Sequence, residues 1–150
     1  GSYSPSTDYL ERGSYGYTAN GNLSYVTEKQ SLTTVYLWSY QKQHPIAKVE
    51  NTTYAEIKKA LGFTSDTQIT SLEAESTPDV AAIRKKLDDY FKGSTVLITT
   101  YTYKPGIGMT GTTLPNGEKR SYEYDSFGRL SKVKNHEGNA VKQYDYHYKN

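Results

Sequence analysis

The sequence predicts an α+β, β-dominated fold: a twisted antiparallel sheet of hairpins with a helical insertion packed on one face. Three observations predict it. A tyrosine–glycine pattern is written three times. The texture between Asn51 and Gly93 switches from strand-like to helix-like. Only 35% of the 150 residues are apolar, and 16 of them are tyrosines. Tyrosine brings apolar area and a hydroxyl that needs a partner, which suits a thin sheet with a wet face better than a thick aliphatic interior. At this length roughly 70% of the unfolded surface is lost on folding, enough for one domain with an insertion.

The repeat is read by superposition. Near the C-terminus stands Tyr122-Glu-Tyr124-Asp125-Ser-Phe127-Gly128-Arg129-Leu130, and near the N-terminus Tyr15-Gly-Tyr17-Thr-Ala-Asn20-Gly21-Asn22-Leu23. A displacement of 107 positions places Tyr15, Tyr17, Gly21, Leu23 and Val26 on Tyr122, Tyr124, Gly128, Leu130 and Val133. A displacement of 21 places Tyr101, Tyr103, Met109 and Gly117 on Tyr122, Tyr124, Leu130 and Gly138. Tyr36, Trp38 and Tyr40 match Tyr144, Tyr146 and Tyr148 at 108. Self-similarity of this kind points to stacked supersecondary units rather than to an enzyme core.

In chain order, residues 3–50 read as strands. Asn20-Gly21 is a hairpin turn, since both residues tolerate positive φ. Leu23 to Tyr25 is the return strand. Thr33 to Tyr40 is the next, with Tyr36, Trp38 and Tyr40 on one face by period two. Pro45 is expected to stop or bend the chain, with Ile46 to Val49 as a short strand beyond it. Thr53-Tyr-Ala-Glu56 opens a helix that Gly62 closes. A weaker helix covers Ser65 to Ser76. Thr77-Pro78-Asp79 starts a third, with Thr77 as cap and Pro78 in the first turn. Its stripe is Val80, Ile83, Leu87, Tyr90 and Phe91, with Arg84/Asp88 and Lys85/Asp89 paired on the wet side. Gly93 ends it.

Strands return with Val96 to Tyr103, followed by Met109 to Thr113, Arg120 to Asp125, Arg129 to Lys134 and Ala140 to Tyr148. The segment is one domain, 1–150, in which the helical insertion 51–93 separates β-blocks 3–50 and 94–150. One detail conflicts with regular strands: Leu130 and Val133 differ in parity, as do Leu23 and Val26. A β-bulge, or burial on both faces, reconciles them.

Composition excludes several function classes. The formal net charge is +2, with both signs mixed along the chain, so there is no basic stripe for nucleic acid. No apolar run reaches the length of a bilayer span. The absence of Cys rules out disulfides and thiolate metal sites. Gly1-Ser2 resembles an expression scar, so a missing leader says nothing about export.

Tyr122-x-Tyr124-Asp125-x-x-Gly128-Arg129-Leu130-x-x-Val133, then Gly138 and Tyr144-x-Tyr146, resembles the YD repeat of the RHS family. The likeness covers the two β-blocks. The N-terminal copy departs from it, with Thr18 where Asp125 stands. Tyr36-Leu-Trp38-Ser-Tyr40 and Pro45-Ile-Ala are similar to the versions in large surface or secreted proteins of Bacteroidetes. The resemblance implies a non-catalytic module of spiralling antiparallel sheet, which in longer members wraps a toxin or other cargo. It implies a bacterial cell-surface or extracellular location, with other repeats of the parent or a second copy as partners through strand edges. The paired Asp-Pro-x-Gly self-cleavage motifs of toxin-bearing members are absent, with Leu114 where the Asp would stand. The chain reads as the terminal fragment of a longer protein or as a short member.

The motif residues read as structural are Tyr15, Tyr17, Gly21, Leu23, Tyr101, Tyr103, Tyr122, Tyr124, Asp125, Gly128, Arg129, Leu130, Gly138, Tyr144 and Tyr146. Asp125 is expected to bond backbone two residues on and fix its turn. Tyr36, Trp38 and Tyr40 are the candidate glycan-stacking residues, against the plainer reading of cross-strand packing. Asp125, Glu123 and Asp145 are the only carboxylates placed for a hydrolase. His44, His136 and His147 lack the spacing of metal ligands, and Asp125 to Gly128 resembles only half a calcium loop. No nucleophile or dinucleotide motif is present. The expectation is therefore a non-enzymatic scaffold or recognition module without cofactor. A glycan-binding module is the alternative, and a toxin-associated hydrolase the remote one.

Overall fold

The computed structural model describes residues 14–27 and 33–146, which hold nine strands and three helices. The chain forms two compact units, residues 1–98 and 99–150. The strand expected over residues 3–13, and the ends of the chain at His147 and Tyr148, lie outside the described residues.

In the first unit the strands are β1 (Ser14–Tyr17), β2 (Leu23–Thr27), β3 (Thr33–Ser39) and β4 (His44–Glu50). They pair antiparallel in chain order. The helices α1 (Tyr54–Leu61), α2 (Asp66–Ala74) and α3 (Val80–Tyr90) follow. Val35, Leu37 and Ser39 alternate inward along β3, and Ile46, Ala47 and Val49 are buried on β4, where Ile46 and Ala47 are adjacent. Ile57, Leu61, Ile69, Leu72, Val80 and Leu87 supply the helical side of this core. Each of the buried Val, Leu and Ile side chains stabilises the fold by about 1.5–3 kcal/mol. Ser39 is the one polar member of the β3 row, and its hydroxyl donates to Leu72 O at 2.7 Å.

The helix ends follow local chemistry. Thr53 caps α1 by accepting from Glu56 N at 3.2 Å, and Gly62 closes it at φ 75°. The Gln68 side-chain oxygen accepts from Thr64 N and Ser65 N at the start of α2. The start of α3 corrects the sequence expectation. Its cap is Asp79, which accepts from Ala82 N at 3.0 Å, so Thr77 and Pro78 precede the helix. The exposed face of α3 is also narrower than expected: Arg84 is buried while its partner Asp88, 3.0 Å away, reaches solvent. Its long stem can lie along the core because the guanidinium reaches the surface pair.

Two further expectations change between β3 and β4. Pro45 does not stop the strand but lies within β4, opposite Trp38. The pairing slips there, from Leu37↔Ala47 to Trp38↔Pro45, so Ile46 is an extra residue; a bulge is where a strand tolerates a residue with no N–H. Tyr40 does not share a face with Tyr36 and Trp38. It leaves the strand at φ 52°, followed by Gln41 at 57° and Lys42 at 72°, and it is buried. Three successive left-handed non-glycine residues are costly. They are held by the end of α2, where Glu75 O accepts from Gln41 N at 2.8 Å and Glu73 O from Lys42 N at 2.7 Å. Carbonyls left open by a helix terminus thus serve a neighbouring turn.

The second unit carries β6 (Gly108–Thr113), β7 (Lys119–Tyr124), β8 (Leu130–Lys134) and β9 (Ala140–Gln143), with most of β5 (Leu97–Lys104). They too pair antiparallel in chain order. Val133 is the one apolar side chain of this unit that is buried among the described residues. No described helix is long and apolar enough to cross a membrane.

Candidate functional site: a recurring turn and bulge

One five-residue turn recurs four times. In Thr18–Asn22, Leu114–Glu118, Asp125–Arg129 and Asn135–Asn139 the first residue's N–H donates to the fifth residue's carbonyl at 2.8 Å. The fourth residue's N–H returns to the first residue's carbonyl at 2.9–3.0 Å. The fourth residue is always glycine, at φ 85°, 88°, 78° and 85° in turn, a conformation that side chains resist. This explains Gly21, Gly128 and Gly138 of the motif. In the third and fourth turns the first residue organises the amides above it. Asp125 Oδ1 accepts from Phe127 N and Arg129 N, each at 2.9 Å, and Oδ2 from Arg129 Nε at 2.8 Å. Asn135 Oδ1 accepts from Glu137 N and Asn139 N. The Arg129 amide, then those of Phe127 and the Arg129 guanidinium, hold the Asp125 carboxyl below the usual carboxylate range.

In three hairpins, β1–β2, β5–β6 and β7–β8, a bulge stands at a fixed place. Tyr15 faces Val26, Tyr122 faces Val133, and Tyr101 faces Thr112. Two residues later Tyr17 faces Leu23, Tyr124 faces Leu130, and Tyr103 faces Met109. Ser24, Ser131 and Thr110 are the extra residues, each a hydroxyl amino acid. The Ser131 hydroxyl donates across to Glu123 O at 3.1 Å, and Thr110 bonds the Thr102 hydroxyl at 2.9 Å. The parity conflict between Leu130 and Val133 is thereby resolved: the bulge turns the strand between them.

An aromatic polar tip from further along the chain reaches the carbonyl just before the bulge. Trp38 Nε1 donates to Leu23 O at 2.9 Å. Tyr124 Oη donates to Met109 O, and Tyr146 Oη to Leu130 O, each at 2.7 Å. A bulge disrupts the ladder locally, and these donors satisfy an acceptor beside the disruption. Burial raises the Tyr124 hydroxyl above the ordinary tyrosine value. Arg129 also lies over the Tyr146 ring at 4.0 Å and the Phe127 ring at 5.1 Å. Gly108 has its own role: a Cβ there would meet the Tyr124 hydroxyl at 2.6 Å.

The sequence-predicted residues thus divide by position. Leu23, Leu130, Tyr124, Tyr146, Asp125 and Arg129 meet around the turns and bulges. Tyr101, Tyr103 and Tyr122 are half-buried on the same strands, while Tyr144 lies at the exposed end beyond β9. Tyr15 and Tyr17 are the exposed aromatics of β1, at 53% and 67%. Of the candidate stacking residues, Tyr36 is half-buried, Trp38 is bonded to Leu23, and Tyr40 is buried in a turn. The bulge hydroxyls, Gly108 and the aromatic-tip bonds are not among the residues the sequence singles out. Their signal is the spacing of 15 residues from Leu23 to Trp38 and from Met109 to Tyr124, and of 16 from Leu130 to Tyr146.

Three of the other chemistry-bearing groups have structural partners. Glu123 pairs with Lys134 at 3.1 Å. His136 Nδ1 accepts from Lys119 N at 3.1 Å, and His44 meets Tyr40 edge to face at 6.0 Å. Among the described residues no group of three or more His, Asp or Glu is placed to hold a metal ion. No curated protein matches the chain. The family model for the RHS repeat matches residues 108–140, which span β6, β7, β8 and the recurring turns between them. That match rests on the same turns and bulges, so residues 108–140 are similar to an RHS repeat.

Proposed function

We propose that the chain is a non-enzymatic structural or recognition module of a larger RHS-repeat protein, exported to the bacterial surface or beyond. The hairpins β1–β2, β5–β6 and β7–β8 are its YD repeats, a twisted stretch of shell or scaffold sheet, and the three helices are an insertion packed on one face of the first block. One observation supports this reading above the others: the polar groups of the motif end on backbone. Asp125 binds turn amides, and Trp38, Tyr124 and Tyr146 bind carbonyls beside bulges. Side chains so engaged shape a sheet and leave little with which to hold a substrate. The partners on this reading are further repeats, or a second copy, meeting through strand edges.

A glycan-binding role finds its support in Tyr15 and Tyr17, whose rings are exposed on one short strand. Thermal unfolding of Tyr124→Phe, Asp125→Asn and Tyr15→Ala, together with a glycan array, separates the two readings. The scaffold predicts lowered Tm for the first two and no saturable sugar binding. Sugar binding that is lost in Tyr15→Ala at unchanged Tm would replace it with the glycan reading. Hydrolysis abolished by Asp125→Asn in a folded protein would overturn both.

A further inference from the structure

The first turn lacks the residue that organises the third. Thr18 stands where Asp125 does, and Asn22 where Arg129 does. Yet the two turns have the same backbone bonds, Thr18 N to Asn22 O and Gly21 N to Thr18 O, as in Asp125–Arg129. Thr18 Oγ1 accepts from Asn22 N at 3.3 Å, which replaces only one of the bonds made by Asp125. A carboxylate is nonetheless present. Glu73 Oε2, from α2, accepts from Thr18 Oγ1 at 3.1 Å, Asn20 Nδ2 at 3.3 Å and Asn22 Nδ2 at 2.8 Å.

Glu73 is 1% exposed, between the buried Ile69 and Leu72 side of α2 and the sheet. An aliphatic residue would suit that position, because a buried carboxylate is costly unless its oxygens are bonded. All three donors to Oε2 come from this one turn, while Oε1 is buried with no hydrogen-bond partner among the described residues. The same residue's carbonyl fixes Lys42 N in the β3–β4 turn, and Lys42 O accepts from Asn22 Nδ2 at 3.3 Å. Side chain and backbone of Glu73 therefore clasp two turns at once.

We infer that Glu73 supplies from the helical insertion the turn carboxylate that the β1–β2 hairpin has lost from its own strand. Thr18 and Asn22 are the matching changes: a hydroxyl and an amide that donate to a carboxylate arriving from outside, in place of an acid and a base that pair within the turn. The insertion is then a component of the first hairpin and not an ornament upon it. This complementation is a property of the fold and holds whether the module is a scaffold or a sugar binder.

A double-mutant cycle on the whole chain tests it. Glu73→Gln alone is expected to lower Tm by about 2–8 °C, and to speed amide exchange at Thr18 and Gly21, whose N–H groups close the turn. Thr18→Asp alone sets two carboxylates against each other and is also destabilising. In the Thr18→Asp background Glu73→Gln should raise Tm, because the strand then carries its own acid again. That reversal of sign is the expected result, and an equal loss from Glu73→Gln in both backgrounds overturns the inference. Should Thr18→Asp not fold, Thr18→Val with Glu73→Gln gives the cycle without added charge: losses smaller than the sum support the inference, and additive losses overturn it.

Discussion

Trp38, Tyr124 and Tyr146 show how one requirement is met by different side chains. Each brings an aromatic body with a polar tip, and each places that tip on a carbonyl beside a bulge. Removing one hydroxyl should therefore matter without unfolding the chain. Tyr124→Phe is expected to cost about 1–2 kcal/mol, seen as a lowered midpoint in urea with an unchanged slope. Gly108→Ala should cost at least as much, because the new Cβ meets the Tyr124 hydroxyl and the backbone sits at φ 154°. Asp125 adds a dependence on pH. Its folded pKa is depressed by the Arg129 and Phe127 amides. Its contribution is thus fully present above the ordinary Asp range and is lost as pH falls through the lower, folded value. Tm measured from pH 6 downward should fall more steeply for the wild type than for Asp125→Asn, which lacks this titration. A parallel pair of curves would show that the carboxylate does not stabilise the turn.

Elements were legible in the sequence where their ends depend on near neighbours. Thr53 and Gly62 bound α1 because capping involves residues three or four apart, and Gly21, Gly128 and Gly138 mark turns because only the local φ demands them. The start of α3 is less legible because Thr and Asp are both capping residue types, and in the structure it is Asp79 that accepts from Ala82 N. Asp79→Ala should accordingly cost about 1 kcal/mol and Thr77→Ala less than about 0.5, by chemical denaturation. The path after Ser39 was illegible for a different reason. The turn that buries Tyr40 is held by carbonyls of Glu73 and Glu75, more than thirty residues further on, which no local pattern announces. Period two read the β3 faces correctly as far as Trp38 and failed where α2 took over. The bulges lie between these cases. The mismatched parity of Leu23 and Val26 signalled an irregularity, while its position and the hydroxyl residue that fills it came only from the register. Of the candidate site, the turn role of Asp125 was readable from its sequence neighbours, whereas Glu73 was not, lying 51–55 residues from the groups it binds.

Across the whole molecule, buried apolar side chains are distributed unevenly. Among the described residues, thirteen of the fourteen fall within residues 1–98, and Val133 alone lies in 99–150. A sheet with so little covered surface relies on backbone bonds, turns and cross-strand pairs, and such regions open at lower free energy than a packed core. Hydrogen exchange should therefore show β3 and β4 as the slowest segments and β7 to β9 as markedly faster. Equal protection in both units would contradict the uneven burial. Among the described residues β9 pairs with β8 alone, and all four of its residues are exposed. Such an edge invites a further strand, so light scattering should detect association that grows with concentration. A strict monomer at millimolar protein would argue against strand-edge pairing.

The donors to the bulge carbonyls always come from later in the chain, 15 or 16 residues downstream. That gives the array a direction in time as well as in space. During synthesis a hairpin leaves the ribosome with its acceptor open and is finished only when the next aromatic emerges. A nascent chain of this kind would mature like a zip drawn one way, each new hairpin locking the one before it.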